Sequence, residues 1–304
     1  MRLKNFRDFQ LRNFYLIIVD MNVIRVMGGL GNQLFQYAFG KAQMLNGIDV
    51  CFTPPTPEEI KRNKRRQQWP RPYNLNKFQV DLKHSNFLNQ QTVHEAEYGT
   101  GFAGLRKLEL GHPDMSLLKR DNCNFEGYWQ WPTYFQDFLP LLRKEFCVKE
   151  EFYTKEFLEF KEQIVNDPVS VSVHVRRGDY VLQRGFHDLQ FSYYFEALSF
   201  TKGNIYIFSD DIPWCKEKFK EDYFDRKITF IELEDYLDFE LMRSCKHHVA
   251  ANSTFSYMVG LLSDDPDSII VVPSGWITGA RELGDKELMK KADDKYYLKE
   301  WVKI

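Results

Sequence analysis

The sequence carries almost no net charge. Its 41 lysines and arginines balance 43 aspartates and glutamates, so the formal charge of the 304-residue chain is −2 at pH 7. Proteins whose main partner is nucleic acid usually present a strong excess of basic residues. The balance therefore argues against nucleic acid as a partner, while the hydrophobic content of 43% is ample for a globular core.

Cysteine is scarce, and no Cys-x-x-Cys pair occurs. Five cysteines lie far apart, at positions 51, 123, 147, 215 and 245. An odd, scattered set argues against a disulfide framework or a zinc site and favours a reducing compartment. We therefore expect a cytoplasmic protein without a structural metal.

Long apolar runs are missing too. No segment approaches the ~18 apolar residues of a membrane-spanning helix. The apolar run at residues 14–19 is too short for the core of a signal peptide, and no small-residue cleavage site follows it. Because Met21 opens a strand-like segment, we expect residues 1–20 to be an N-terminal appendage.

The first pattern along the chain is a strand, a glycine turn and a helix. A strand is predicted at residues 23–27, glycines stand at 28, 29 and 31, and apolar residues then recur at helical spacing. A second strand at residues 48–52 completes a βαβ unit, whose turn offers bare N–H groups to an anion. A dinucleotide fingerprint would need a glycine where Leu34 stands, and no P-loop motif follows. The alternative is a tight turn without a ligand.

The strongest signal is the segment at residues 169–180. Its first half is rich in valine, which is typical of a strand buried on both faces. Its second half carries His174, Arg176, Arg177 and Asp179. Open α/β sheets present their ligand sites at such charged strand ends. The simpler interpretation is a surface turn with a solvated salt bridge.

Strand and helix patterns then alternate to the end of the chain. Strands are predicted at residues 204–208, 228–231, 248–250 and 268–272, and helices at residues 191–200, 213–220, 235–244 and 258–262. The alternation predicts a doubly wound parallel sheet. Three strands run into the polar clusters HVRRGD, SDD and NST. Because parallel strands end at one edge of a sheet, we expect these clusters to converge.

The first half contains two stretches with two interpretations each. The basic run at residues 61–71 is either a solvated face or a contact with an acidic membrane surface. The aromatic run at residues 125–131 either packs in the core or forms a sugar-stacking platform with Glu126. Helices are predicted at residues 132–146 and 151–165. The turn at residues 166–168 is the best domain boundary.

The converging residue types suit a nucleotide diphosphate. The two adjacent arginines supply planar donors for phosphate oxygens. Asn252, Ser253 and Thr254, at the start of a helix, add hydroxyl and N–H donors for the same anion. Asp210 or Asp211 offers an acceptor to a base or a ribose.

Four motifs in this order resemble the α1,2-fucosyltransferase family. They are GGLGNQLFQ at residues 28–36, HVRRGDY at 174–180, FSDD at 208–211 and ANSTFS at 251–256. The resemblance implies a GT-B-like α/β fold, with two Rossmann-like domains facing each other across a cleft. The expected domains are an acceptor-side domain at residues 21–166 and a GDP-fucose-binding domain, ending in helices, at residues 167–304. The sequence departs from the family at residues 257–260, where YMVG replaces the Trp-Trp-Gly of many members.

The resemblance also implies the reaction. Family members transfer L-fucose from GDP-fucose to the 2-hydroxyl of a terminal galactoside, with inversion and without an obligatory metal or other cofactor. The expected partners are therefore GDP-fucose and a galactose-terminated oligosaccharide or glycolipid-linked acceptor. A glycolipid acceptor, together with the basic run, would place a cytoplasmic enzyme peripherally at the inner face of the membrane.

Without a metal, an arginine must hold the charge of the departing GDP. We assign this role to Arg176, which lies nearer the strand than Arg177. Inversion also requires a base near the acceptor hydroxyl. Asp179 is the first candidate, although it has an equally good structural role in pairing with Arg177. The alternative bases are His187, Asp188 and Glu126. The residues expected to bind substrate are Gly29, Asn32, Gln33, His174, Arg177, Asp210, Asp211, Asn252, Ser253, Thr254, Phe255 and Ser256.

Two other functions fit parts of the sequence. A dinucleotide-dependent oxidoreductase would use the glycine turn and would bind NAD(P)H rather than GDP. A non-catalytic sugar-binding module would account for the aromatic content of 16%. Such a module would not need two adjacent arginines at a strand end.

Overall fold

The computed structural model describes residues 21–58, 61, 71–84, 91–95, 113–178, 189–275 and 286–304. In these residues the chain forms two parallel β-sheets with helices packed around them. Each sheet belongs to one half of the chain, and a cleft lies between the halves. The α/β, GT-B-like architecture expected from the sequence is therefore confirmed.

The elements alternate in the order expected of such a fold. The strands are β1 (Met21–Arg25), β2 (Asp49–Thr53), β3 (Gln91–His94), β4 (Cys123–Glu126), β5 (Val171–Val175), β6 (Ile205–Ser209), β7 (Ile228–Ile231), β8 (His247–Val249), β9 (Ile270–Val272) and β10 (Val302–Lys303). The α-helices are α1 (Leu30–Leu45), α2 (Leu139–Glu145), α3 (Lys155–Val165), α4 (Phe191–Ser199), α5 (Ile212–Lys218), α6 (Glu221–Phe224), α7 (Asp235–Arg243), α8 (Thr254–Leu261) and α9 (Lys286–Tyr296).

The first sheet has the strand order β2-β1-β4-β3, and all its strands are parallel. The glycine turn connects β1 to α1, which then returns the chain to β2, so the predicted βαβ unit is present. Gly28 adopts φ 79°, a left-handed conformation that glycine reaches at little cost. Trp129 stacks on Phe39 with ring centroids 4.6 Å apart, beside the buried Phe125. The core interpretation of the aromatic run is therefore confirmed for these rings.

The second sheet has the strand order β7-β6-β5-β8-β9-β10, again all parallel. This is the doubly wound order in which the chain moves outward from β5 in one direction and then returns to build β8, β9 and β10 on the other side. Every residue of β5 is buried, as the valine-rich segment predicts. The order reverses between β5 and β8, and ligands of such sheets bind beyond the strand ends at that point.

The long helix predicted at residues 132–146 is wrong. The structure has two 3₁₀ turns, Pro132–Tyr134 and Gln136–Phe138, followed by the short helix α2. Pro140 has no N–H to donate to the carbonyl of Gln136, so a helix cannot run through it and starts again with proline in its first turn. Likewise α3 begins only at Lys155, where the Thr154 side chain caps the N–H of Phe157 at 3.1 Å.

Two findings concern the expected location of the protein. All five cysteines carry free thiols. No helix in the described ranges is both long enough and apolar enough to span a bilayer. The N-terminal appendage and residues 62–70 of the basic run lie outside the described residues, so peripheral membrane association stays a prediction.

A buried histidine gives the fold a pH dependence. His248 on β8 is 2% exposed, and its Nδ1 lies 2.8 Å from the hydroxyl of Ser172 on β5. Burial, reinforced by His247 and Arg243, lowers the pKa of His248 to about 3. An unfolded histidine titrates near pH 6.5. As the pH falls, the unfolded chain therefore takes up this proton first, and the folded state loses stability below about pH 6.5.

We expect His248 to lower the free energy of unfolding by about 1–2 kcal/mol between pH 6.5 and pH 5. Glutamine at this position cannot titrate, so His248→Gln should flatten the pH dependence by up to about one proton. Urea unfolding of both proteins at several pH values measures the two slopes. Parallel curves would show that another group carries the effect.

Candidate active site

A cavity of about 550 Å³ lies between the two halves, at the reversal point of the second sheet. The first half contributes Gly28, Gly29, Leu30, Gly31, Asn32, Arg71, Pro72, Tyr128 and Gln130. The second half contributes His174, Arg176, Phe208, Ser209, Asp210, Glu232, Leu233, Asp235, Asp238, Asn252, Ser253, Thr254 and Phe255. The polar clusters after β5, β6 and β8 therefore meet in one wall.

Arg176 is held in this wall by Asp210. Its Nη1 lies 2.7 Å from Oδ2 of Asp210. Oδ1 of the same carboxylate accepts the backbone N–H of Arg177 at 2.9 Å. Gly178 permits this approach, because a Cβ there would lie 2.5 Å from Asp210 Oδ2. Asp210 thus orients the guanidinium and ties the loop after β5 to the end of β6.

Arg177 and Asp211 do not line the cavity. Nε of Arg177 donates to Asp211 Oδ2 at 3.1 Å, and its guanidinium lies 4.2 Å from the ring centroid of Trp214. Asp211 also caps α5 by accepting the N–H of Trp214 at 3.2 Å. Both residues therefore stabilise the loop that carries Arg176, and the substrate contact predicted for them stays a prediction.

His174 lines the cavity as a neutral group. Burial, with the adjacent Arg176 charge, lowers the pKa of His174 to about 3, so it carries no charge at pH 7. Its Nδ1 lies 3.0 Å from Oγ of Ser256. Ser256 also accepts the N–H of Ala251 at 3.1 Å and lies behind the cavity wall. Ser256 thus orients His174, and the substrate contact predicted for it stays a prediction.

Two helices begin at the cavity. Gly29 is the N-cap of α1 and provides no side-chain cap for its first N–H groups, while Ser253 caps α8. The helices approach so closely that a Cβ on Gly31 would lie 2.4 Å from the backbone nitrogen of Phe255. Helix N-termini carry partial positive charge and favour anions. The junction of the two halves is therefore the part of the cavity best suited to a phosphate.

Gln33 shapes the glycine turn from behind. Its Nε2 donates to the carbonyls of Gly28 at 3.0 Å and Pro72 at 2.7 Å, and its Oε1 accepts the N–H of Asn74 at 3.0 Å. All of its polar atoms are thus engaged, and it is buried. In the structure Gln33 supports the glycine turn, and the substrate contact predicted for it stays a prediction.

An acidic wall that the sequence analysis missed follows β7. Glu232, Asp235 and Asp238 line the cavity. Asp235 accepts a hydrogen bond from Nδ2 of Asn74 at 2.6 Å, which links the two halves. Burial raises the pKa of Asp235 to about 6 and the pKa of Asp238 well above its usual value. The signal was available, because β7 also ends in a polar cluster.

Three lining residues of the first half have polar side chains and were not predicted as site residues: Arg71, Tyr128 and Gln130. Tyr128 and Gln130 belong to one loop, which the buried Glu95 holds in place. The Glu95 carboxylate accepts the backbone N–H groups of Tyr128 at 2.6 Å and Trp129 at 3.0 Å. Burial raises the pKa of Glu95. The pairing joins positions more than thirty residues apart, so no local pattern could reveal it.

Of the four candidates for the general base, the structure describes only Glu126. Asp179, His187 and Asp188 lie outside the described residues. Glu126 forms an ion pair with Arg25 at 2.9 Å, its Oε2 lies 3.4 Å from Nδ1 of His94, and it does not line the cavity. A role for Glu126 as the base therefore stays a prediction.

A family model described as "Glycosyl transferase family 11" matches residues 113–304, more than half of the chain. The chain belongs to this family. The match, which includes three of the four sequence motifs, confirms the resemblance. It makes the protein a glycosyltransferase and removes the oxidoreductase and sugar-binding-module alternatives.

The sequence identity to individual relatives is low. This family 11 glycosyltransferase is 28% identical to the Escherichia coli "Alpha-1,2-colitosyltransferase" over 285 residues, which span 84% of this chain and 91% of that protein. It is 25% identical to the Escherichia coli "O-antigen biosynthesis glycosyltransferase WbnK" over 292 residues, which span 83% and 93%. Among solved structures, "NodZ alpha-1,6-fucosyltransferase soaked with GDP-fucose" aligns with a TM-score of 0.47 and 12% identity, over 80% of this chain and 92% of that one.

Proposed function

We propose that this family 11 glycosyltransferase moves L-fucose from GDP-fucose to the 2-hydroxyl of a terminal galactoside, with inversion and without an obligatory metal. The observation that carries the proposal is the shared wall of the cavity. There the guanidinium of Arg176, oriented by Asp210, lies with the N-termini of α1 and α8 in one site. This arrangement suits a ligand that leaves as a diphosphate.

The reaction breaks the bond between the anomeric carbon of fucose and the β-phosphate. Negative charge grows on the departing GDP while the sugar becomes oxocarbenium-like. Preorganised donors that face this growing charge lower the barrier. Arg176 supplies such a donor as a fixed fork, and the two helix N-termini supply backbone N–H groups. These groups together can hold the leaving charge without a metal.

The acidic wall supports guanine as the base. Guanine presents two neighbouring donors, N1–H and the 2-amino group, on one edge. A carboxylate accepts both. Because the pKa of Asp235 is raised only to about 6, this carboxylate is ionised at neutral pH. Uracil offers a single N–H on the corresponding edge, and adenine lacks the N1–H, so both should bind more weakly.

The proposed donor sugar and acceptor are inferred from the resemblance to the α1,2-fucosyltransferase family and from the names of the relatives. The colitosyltransferase relative shares the α1,2 linkage in its name, and colitose is L-fucose without its 3-hydroxyl. We therefore keep L-fucose as the donor sugar and test colitose against it. Asp179 stays our proposal for the base that takes the proton of the acceptor hydroxyl.

Ligand-induced thermal shifts test the donor first. We expect the melting temperature to rise with GDP and GDP-fucose, less with inosine diphosphate, which lacks the 2-amino group, and least with UDP or ADP. EDTA should not abolish the rise. Transfer of fucose from GDP-fucose to lactose, with GDP-colitose as the competing donor, then tests the reaction. A rise with NADH alone, or no transfer from either donor, would overturn the proposal.

A further inference from the structure

Gln130 has no role in the proposed reaction, yet it contacts Asn32, a cavity residue that the sequence motifs predict to bind substrate. Its Nε2 donates to Oδ1 of Asn32 at 2.7 Å. The hydroxyl of Thr254, from the other half, donates to the same oxygen at 2.9 Å. An amide oxygen that accepts two hydrogen bonds leaves the NH₂ group to point the other way. The orientation of the Asn32 amide is therefore fixed by one residue from each half.

The NH₂ group of Asn32 lies beside the glycine turn. Its Nδ2 is placed over Gly28, where an added Cβ would come within 2.6 Å, and both residues line the cavity. No other described residue accepts a hydrogen bond from this nitrogen, whereas Oδ1 is saturated. Asn32 thus presents a donor, not an acceptor, to whatever occupies the site.

Gln130 is itself well held. It is 5% exposed, and its backbone belongs to the loop that the carboxylate of Glu95 grips. Its Oε1 lies 3.5 Å from the hydroxyl of Tyr296, which approaches as a donor. The chain of donors from Tyr296 to Gln130 to Asn32 has one consistent direction, and that direction ends at the NH₂ group of Asn32.

We propose that Gln130 is a positioning residue that keeps the NH₂ group of Asn32 turned into the cavity, where it donates to an oxygen of the donor's diphosphate. The diphosphate is the expected acceptor because Gly31, the neighbour of Asn32, packs on the first turn of α8. The NH₂ group therefore lies where two helix N-termini meet. This inference rests on the proposed function.

The decisive variants are Gln130→Glu and Gln130→Met. A carboxylate cannot donate to Oδ1 of Asn32, so it recruits the NH₂ group and turns the amide oxygen towards the phosphate. Methionine keeps the volume and leaves Thr254 to hold Oδ1. A hydrogen bond to a charged group contributes about 1.5–3 kcal/mol. We therefore expect Gln130→Glu to weaken GDP binding by about 10- to 100-fold and Gln130→Met by less than about tenfold.

Calorimetric titration with GDP at low and high salt measures the effect, with melting temperatures as the check on folding. Repulsion by the new carboxylate fades with ionic strength, whereas a turned amide does not, so the defect of Gln130→Glu should persist at high salt. In ¹⁵N spectra, the Asn32 side-chain NH₂ signal should respond to GDP in the wild type and not in Gln130→Glu.

Asn32→Asp supplies an independent arm in case Gln130→Glu fails to fold. It keeps the doubly accepting oxygen and removes the NH₂ group, so it should lose as much GDP affinity as Gln130→Glu. Asn46→Asp, at the exposed far end of α1, adds the same charge and should bind GDP normally. The positioning role is overturned if Gln130→Met loses as much as Gln130→Glu, if the defect disappears at high salt, or if Asn32→Asp binds normally. Wild-type protein that binds no GDP would instead overturn the proposed function itself.

Discussion

Replacing Arg176 by lysine should leave the fold intact and lower turnover by about 10²–10³. The guanidinium presents several donors in a rigid plane, and Asp210 fixes that plane through the 2.7 Å contact. Lysine keeps the charge but is a point donor on a flexible stem, so it cannot both pair with Asp210 and span a phosphate. The measurement is kcat for fucose transfer, with the melting temperature recorded in parallel.

Two arginine variants make this result interpretable. Arg25→Lys changes an ion pair with Glu126 outside the cavity and should leave kcat unchanged. Arg177→Lys weakens the stacking on Trp214 and the contact with Asp211, so it should lower the melting temperature more than Arg176→Lys does and kcat less. Near-normal turnover in Arg176→Lys would remove Arg176 from the role of leaving-group donor.

The strands and helices of the second half could be predicted because each follows from a short local pattern in the sequence. Strands such as β7 and helices such as α4 follow from runs of apolar residues and their spacing, and the parallel sheet follows from their alternation. The convergence of residues after β5, β6 and β8 needs only the rule that parallel strands end at one edge. The same rule applied to β7 would have found Glu232 and Asp235.

The first half was harder because its site residues are placed by distant partners. Arg71 enters the cavity from a segment fixed by Gln33 and by the contact between Asn74 and Asp235. Tyr128 is positioned by a buried carboxylate from β3. Neither arrangement produces a periodic pattern in the sequence, so neither could be predicted from composition or spacing. The strands β3 and β4 were missed for the same reason, since β4 forms through pairing with β1 and β3 through pairing with β4.

The motifs alone do not distinguish residues that contact a ligand from residues that support them. Arg177, Asp211 and Ser256 belong to the same motifs as Arg176, Asp210 and the Asn252 cluster. Alternating positions along an extended segment point to opposite sides, and only the packing shows which side is the cavity. In the structure Arg177 and Asp211 contact each other at the loop that carries Arg176, and Ser256 contacts His174. A substrate contact by any of the three stays a prediction.

Gly31→Ala should both destabilise the protein and impair the site. Alanine normally stabilises a helix by up to about 1 kcal/mol relative to glycine. In α1, however, the new Cβ would lie 2.4 Å from the nitrogen of Phe255 and 2.5 Å from the carbonyl carbon of Thr254. These are backbone atoms at the start of α8, which cannot rotate away. Relief requires the two helices to separate, so we expect a loss of about 1–3 kcal/mol in the free energy of unfolding.

The same displacement should also lower the rate of transfer, because both helix N-termini and Asn32 lie at this junction. A shift of about 1 Å in a positioning element can cost about 10²-fold in rate, and we expect a loss of that order in kcat together with weaker GDP binding. Gly29→Ala is the steric control: at φ −71° its Cβ would have Arg71 Cδ as nearest atom, at 3.8 Å, so stability should change much less. A Gly31→Ala protein that is as stable as the wild type and binds GDP equally well would contradict this prediction. The two halves would then not be fixed at this contact. The phosphate site would have to be preorganised by the strand-end residues of the second half alone.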